Sequence, residues 1–352
     1  DLFSDWNWLH AFCSLFIIGT ATLSAAAGTG GGSMYVPLLL LCVQLSAKEA
    51  VPLSQALILG GSFVNLMLFA GDAHPRFPEY PRIDYKVVMI MNPGLSAGVM
   101  LGVWANVICP QWLIITCLLI TLLVTFYATC KKALTIYGFE FADAHPHGGS
   151  LELAGVTTGK EEITFSKSLH LKWQGYGNCR KFISETSTPL LYIWGCWLMF
   201  FMASVFKIDR CSPLWFVEKA GILAACVGFT YIGEDFVKEG ADELPDVEAE
   251  TMWTIRKMKR YPLHALGVGI LGGFLGVGGG IIMGPLLLEL GLPAEAAQAT
   301  TAMFVFLSAS LATMQFLAVG SILPGYVLWF TCLVGISTLV GQTILDYWSK
   351  KI

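Results

Sequence analysis

Charged side chains are scarce in this chain. Asp, Glu, Lys and Arg make up only 13% of its 352 residues, about half of what a soluble domain carries. Hydrophobic residues make up 55%. Together these exclude a water-soluble globule and indicate a polytopic membrane protein. The net charge is −4, and without a basic face nucleic acid is not a partner. Catalytic signatures are missing too. There is no HExxH and no pair of carboxylates inside an apolar run, which leaves an intramembrane enzyme without its usual machinery. No CxxC occurs among the ten cysteines. Seven of them (Cys13, Cys42, Cys117, Cys130, Cys196, Cys226, Cys332) lie in or at the ends of apolar runs, where cysteine behaves as a small hydrophobe. No disulfide framework is indicated, and the reading needs no cofactor. The chain opens at Asp1 with no charged segment ahead of an apolar run, which fits a removed leader or residues preceding it.

What is present is a series of apolar runs. A membrane span needs about 20 mostly apolar residues. The segments 8–27, 51–70, 87–108, 112–130, 189–206, 220–232, 263–275, 296–319 and 322–345 give about nine spans and an all-α fold. Two shorter apolar pieces, 34–43 and 281–290, each follow a glycine cluster. At 1.5 Å per residue each covers roughly half a bilayer. They read as half-helices. Three polar stretches, 71–86, 131–187 and 234–261, are separated by pairs of spans and so share one side. They hold 15 of the 21 Lys and Arg residues, and the positive-inside rule places them in the cytosol. The short linkers at 109–111 and 207–212 fall on the opposite face with Cys109 and Cys211, where a disulfide or two free thiols are both open.

The glycine clusters form a repeat. "GTGGGSMYVPLLLL" at 28–41 and "GVGGGIIMGPLLLE" at 276–289 match at four glycines, a proline and three leucines, with an offset of 248 residues from Gly28 to Gly276. With a two-residue slip, "AKEAVPLSQA" at 47–56 continues against "PAEAAQATTA" at 293–302, setting Ser54 and Gln55 against Thr300 and Thr301. Internal repeats with paired, interrupted hydrophobic segments mark secondary transporters, and the breaks point to the substrate site.

The physical reason is a helix that begins at the membrane midplane. About four backbone N–H groups stay unpaired at its start. The macrodipole adds roughly half a positive charge there. Glycine admits a ligand close to the backbone, so such a terminus holds an anion without a cationic side chain. The candidate binding residues are therefore Gly30, Gly31, Gly32 and Ser33 in one copy and Gly278, Gly279 and Gly280 in the other. Ser54, Gln55, Thr300 and Thr301 are added as donors to the anion or to the broken backbone. The same four also read as helix caps or interhelical bonds. One small anion fits between two facing termini, and alternating exposure would come from one half rocking against the other.

The doubled GxGGG element with its following Pro-Leu-Leu, the "QATTA" segment at 298–302, the "CSPLWF" linker at 211–216 and the polar insert between the halves resemble the eukaryotic branch of the sulfite exporter TauE/SafE family. That resemblance implies a membrane transporter of sulfite, sulfonate or thiosulfate; the residues alone reach only "small anion". The family's pattern also implies a further span after 322–345, where this sequence runs to "SKKI" at 349–352. The competing reading is a non-transporting structural subunit of a larger membrane assembly that retains a transporter fold. The organisation expected is a first transporter repeat (1–130), a polar cytosolic insert (131–187), linking helices (188–233), an acidic and basic cytosolic loop (234–261) and a second repeat (262–352).

The remaining motifs read as structural. "GVGILG" at 267–272 lies inside an apolar span and not after a strand, so it fails as a dinucleotide motif and reads as close helix packing. Gly94, Gly98 and Gly102 step every four residues and form a helix-contact face, within the chain in preference to a homodimer. Asn65 and Gln315 are expected to bond between helices. "HPHGG" at 145–149 offers too few ligands for structural zinc. "RKMKR" at 256–260 suits anionic lipid heads. The expected partners are a small anion and membrane lipid, with a homodimer or larger assembly left open.

Overall fold

The computed structural model describes residues 15–22, 24, 31–72, 81–143, 179–205, 213–239, 255–322 and 324–349. The fold is all-α. After a helical segment at 15–22, the order is α1 (Gly32–Leu41), α2 (Ala47–Phe69), α3 (Tyr85–Ile108), α4 (Gln111–Asp143), α5 (Cys179–Val205), α6 (Pro213–Glu239), α7 (Ile255–Leu275), α8 (Gly280–Glu289), α9 (Ala294–Val319) and α10 (Pro324–Ser349). Six of these, α2, α3, α5, α6, α9 and α10, contain stretches long and apolar enough to cross a bilayer.

Local chemistry sets several starts. Glu49 accepts from the Ser46 amide at 3.0 Å and from its hydroxyl at 2.7 Å, closing the first turn of α2. Asp84 accepts from the amides of Lys86 and Val87 at 3.1 Å each and starts α3. Gly320 ends α9 in the left-handed region, φ 79°. Some ends differ from those expected. α4 runs past the apolar edge to Asp143, and α6 extends from Pro213 to Glu239, well beyond 220–232. The apolar edge marks where hydrocarbon stops, but helical hydrogen bonding propagates across that edge at little cost.

The spans divide into an inner and an outer set. Within the apolar window of α3, 89% of residues are buried inside the protein, against 17% for α6 and 22% for α5. α2 and α9 join α3 at the centre, while α5, α6 and α10 leave large apolar side chains such as Leu191, Val227 and Ile336 facing outward. Such surfaces fit lipid.

Two seams hold the centre together, and both rest on glycine. Along α3 and α7 the backbones touch. A Cβ on Gly98 would lie 2.2 Å from the Leu266 carbonyl oxygen, on Gly102 2.2 Å from that of Ile270, and on Gly269 2.2 Å from that of Leu95. The glycine ladder and the "GVGILG" segment are thus the two sides of one intrachain contact. In the second seam, α2 meets α10. A Cβ on Gly60 would lie 2.2 Å from the Thr331 carbonyl oxygen, and the Thr331 hydroxyl donates to the Ala56 carbonyl at 3.1 Å. Gln342 donates to Asn65 Oδ1 at 3.2 Å, and Gln315 donates to the Met100 carbonyl at 3.1 Å. Asn65 and Gln315 therefore both serve between helices, as expected. Small residues let helices approach where lipid removes the hydrophobic drive to associate.

Candidate functional site

The two half-helices are ten residues each, and both of their ends are related by the 248-residue offset: Gly32 to Gly280 and Leu41 to Glu289. Each contains its matched proline, Pro37 and Pro285. The breaks that precede them are backbone features. Gly31 has φ 71°, Gly276 φ 72° and Gly278 φ 65°, all in the left-handed region that residues with a Cβ rarely adopt. The copies are not identical, since Gly279, the counterpart of Gly31, has φ −61°. Gly28 and Gly30 lie outside the described residues, as do Cys211 and the histidines of "HPHGG".

The fold brings the two breaks together. Gly32 packs on the Val277 carbonyl so closely that a Cβ there would lie 1.8 Å from the oxygen. Ile58 of α2 fills the remaining space: its Cδ1 is 2.7 Å from the position of that Cβ and 3.1 Å from the same position on Gly278. Gly31, Gly32, Gly278, Gly279 and Gly280 are buried, and Ser33 is half-buried.

The last turn of α7 and the break after it expose carbonyls to side-chain donors, that of Gly272 also accepting from the Gly276 amide at 3.0 Å. Three side chains reach them. Ser54 donates to the Gly276 carbonyl at 2.7 Å, Gln55 to Gly272 at 2.8 Å and Asn106 to Phe274 at 2.7 Å. Ser54 and Gln55 thus serve the broken backbone, one of the two roles expected of them. Asn106 went unnoticed in the sequence; its signal is a side-chain amide in an apolar span, four residues after Gly102.

The start of α8 is different. Among the described residues, Met283 is its first amide with a backbone acceptor, the Gly279 carbonyl at 2.9 Å. On α1, Met34 donates to the Gly31 carbonyl at 3.0 Å. With the carbonyls of Gly272, Phe274 and Gly276 taken up by α2 and α3, the start of α8 presents amide donors. This polarity suits an anion and disfavours a cation.

The two threonines lie elsewhere. Thr300 accepts from the Asp84 amide at 3.0 Å, tying α9 to the start of α3. Thr301 is buried beside α8, its hydroxyl 3.9 Å from where a Cβ on Gly284 would be and without a hydrogen-bond partner. Of the ionisable residues near the spans, Glu218 and Lys219 pair with each other at 2.9 Å, and Glu289 is exposed.

The family model for the sulfite exporter TauE/SafE matches residues 5–159 and 184–352 of this chain. Sulfite exporter TauE/SafE family protein 3 of Arabidopsis thaliana is 26% identical over 351 residues, which cover 97% of this chain and 73% of that protein. Family protein 5 of the same plant is 25% identical over 340 residues, covering 93% and 74%. No solved structure matches the chain.

Proposed function

Because the chain belongs to the sulfite exporter TauE/SafE family, we propose that it is a secondary membrane carrier of a small sulfur oxyanion, sulfite first among them. The anion is held at the amide-lined start of α8, with the facing start of α1 completing the site. The observation that carries this reading is the one-sided chemistry of the second break. Ser54, Gln55 and Asn106 occupy the carbonyls of Gly276, Gly272 and Phe274, while the first amides of α8 face them from a half-helix terminus. A site made of neutral donors binds an anion and releases it again, because no fixed cation holds it. The contact of Gly32 with Val277 is then a closed state, which parts to admit the anion. The charged stretches between spans are placed on the cytosolic side by their Lys and Arg content.

The test is sulfite flux into proteoliposomes carrying the purified chain, with sulfate, thiosulfate and methanesulfonate as competitors. Gly279→Ala is the matched variant. Its φ is accessible to alanine, and the added Cβ would lie 3.3 Å from Val268 Cγ1 and 3.5 Å from Leu95 Cδ1, so the fold survives while a methyl group is added at the residue that opens α8. Saturable flux that falls in Gly279→Ala is expected. No saturable flux of any of these anions from a folded sample overturns the reading and favours a structural membrane subunit.

A further inference from the structure

Among the buried polar groups without a partner is a side-chain amide of α3. Asn92, in the middle of α3, is 0% exposed, and its Nδ2 makes no hydrogen bond. A buried amide donor left unpaired is costly, and in native proteins such groups ask for an explanation. The other end of the same amide is fixed: the Ser96 hydroxyl donates to Asn92 Oδ1 at 3.2 Å. That bond sets the amide's orientation and leaves the NH2 as the free end.

Position on the helix says which side of α3 Asn92 occupies. Residues three apart share a face of a helix, and Leu95 stands three after Asn92. Leu95 Cδ1 lies 3.5 Å from where a Cβ on Gly279 would be, at the residue that opens α8. Val88, four residues before Asn92, and Leu95 pack in one buried cluster with Val268 of α7 and Met283 and Leu287 of α8. Asn92 therefore lies on the side of α3 turned toward the start of α8.

We propose that Asn92 is a ligand of the carried anion, donating Nδ2–H to one of its oxygens while the first amides of α8 bind others. Ser96 acts as the positioning residue. The ligand class is a small oxyanion with at least two acceptor oxygens set at an angle, as sulfite, thiosulfate and sulfonates have. This inference rests on the transport reading above and adds the side chain that completes its site.

The experiment compares wild type, Asn92→Ala and Ser96→Ala for sulfite binding in detergent and for flux in proteoliposomes, with melting temperature measured on the same samples. Asn92→Ala is expected to melt close to Ser96→Ala, because the hydrogen bond it loses within the protein, from Ser96 Oγ to Oδ1, is lost in both variants, and none is lost at Nδ2. Its Kd for sulfite is expected to rise roughly ten- to a hundredfold, the range for a hydrogen bond to a charged partner. Ser96→Ala is expected to weaken binding by less, since the amide stays and only its orientation loosens. A purely structural asparagine would instead lower the melting temperature well below that of Ser96→Ala and leave the Kd unchanged; that result overturns the proposal. Wild-type flux with unaltered binding in both variants overturns it while leaving the transport reading intact. Absence of saturable flux in wild type removes both.

Discussion

The glycine seam between α3 and α7 allows a sharp test, because one short motif contains both a blocked and an open glycine. A Cβ on Gly269 would meet the Leu95 carbonyl oxygen at 2.2 Å, the Val99 nitrogen at 2.9 Å and the Gly98 Cα at 3.0 Å. Carbon and carbonyl oxygen ordinarily approach to about 3.3 Å, so Gly269→Ala forces the two helices apart by about 1 Å. The atoms met are backbone and cannot turn aside. Overpacking of this kind costs about 3 kcal/mol at the upper end of its usual range. Alanine returns about 1 kcal/mol of helix propensity, leaving a net loss of about 2 kcal/mol. Gly267 is two residues away on the same helix, exposed and with nothing within 4 Å of its Cβ position. Gly267→Ala therefore keeps only the gain, up to about 1 kcal/mol. Helix propensity by itself predicts that both substitutions stabilise; the seam predicts opposite signs.

The assay is thermal unfolding in a single detergent, read by tryptophan fluorescence, with the two variants and wild type side by side. Gly269→Ala should melt several degrees below wild type and Gly267→Ala at or slightly above it. If Gly269→Ala is as stable as Gly267→Ala, α3 and α7 are not in backbone contact and the central seam is wrong.

Two further outcomes follow from the same geometry. Ser54→Ala should destabilise by about 1–3 kcal/mol, the cost of leaving a buried carbonyl unpaired, because the Gly276 carbonyl loses its donor; denaturant or thermal unfolding measures this. Arg82 pairs with Asp72 at 3.0 Å, donates to the Glu295 carbonyl at 3.2 Å and to Gln298 at 3.4 Å, and lies over the Phe69 ring. Arg82→Gln should loosen the first turn of α9 by about 2 kcal/mol, seen as roughly thirtyfold faster amide exchange there with exchange in mid-α3 unchanged.

The half-helices were legible because glycine runs and prolines are costly in apolar helices and recur at one offset; the bounds of α1 and α8 keep that offset to the residue. The partners of the polar residues were not legible. Ser54 and Gln55 find their acceptors 222 and 217 residues away, and Asn106 finds its own 168 residues away. Chain order does not reveal which broken end faces which helix. In hydrocarbon a donor is drawn equally to a ligand or to an orphan carbonyl, so the sequence left the role of Ser54 and Gln55 undecided. Thr300 and Thr301 show the converse: the repeat sets them against Ser54 and Gln55, but neither bonds to a break. Asn92 looks like any polar residue in an apolar span until its missing partner is seen.

The two seams also bear on how such a molecule moves. The sequence suggests two halves that rock against one another. Yet α3 of the first copy is locked to α7 of the second, backbone to backbone, and α2 of the first to α10 of the second. The bonds from Ser54, Gln55, Asn106, Gln315 and Thr331 cross between the copies in the same way. Rocking the halves would break all of these together. The contact between the breaks is far lighter, a glycine on a carbonyl with one isoleucine beside it, and it buries little that must be lost on opening. Both short helices are also bounded by residues with positive φ: Gly31 at 71° and Gln44 at 58° around α1, Gly278 at 65° and Gly291 at 97° around α8. Hinges are a few end-of-element residues that absorb a change in φ and ψ. The physical case is therefore for a fixed frame of α2, α3, α7, α9 and α10, with α1 and α8 as the parts that swing.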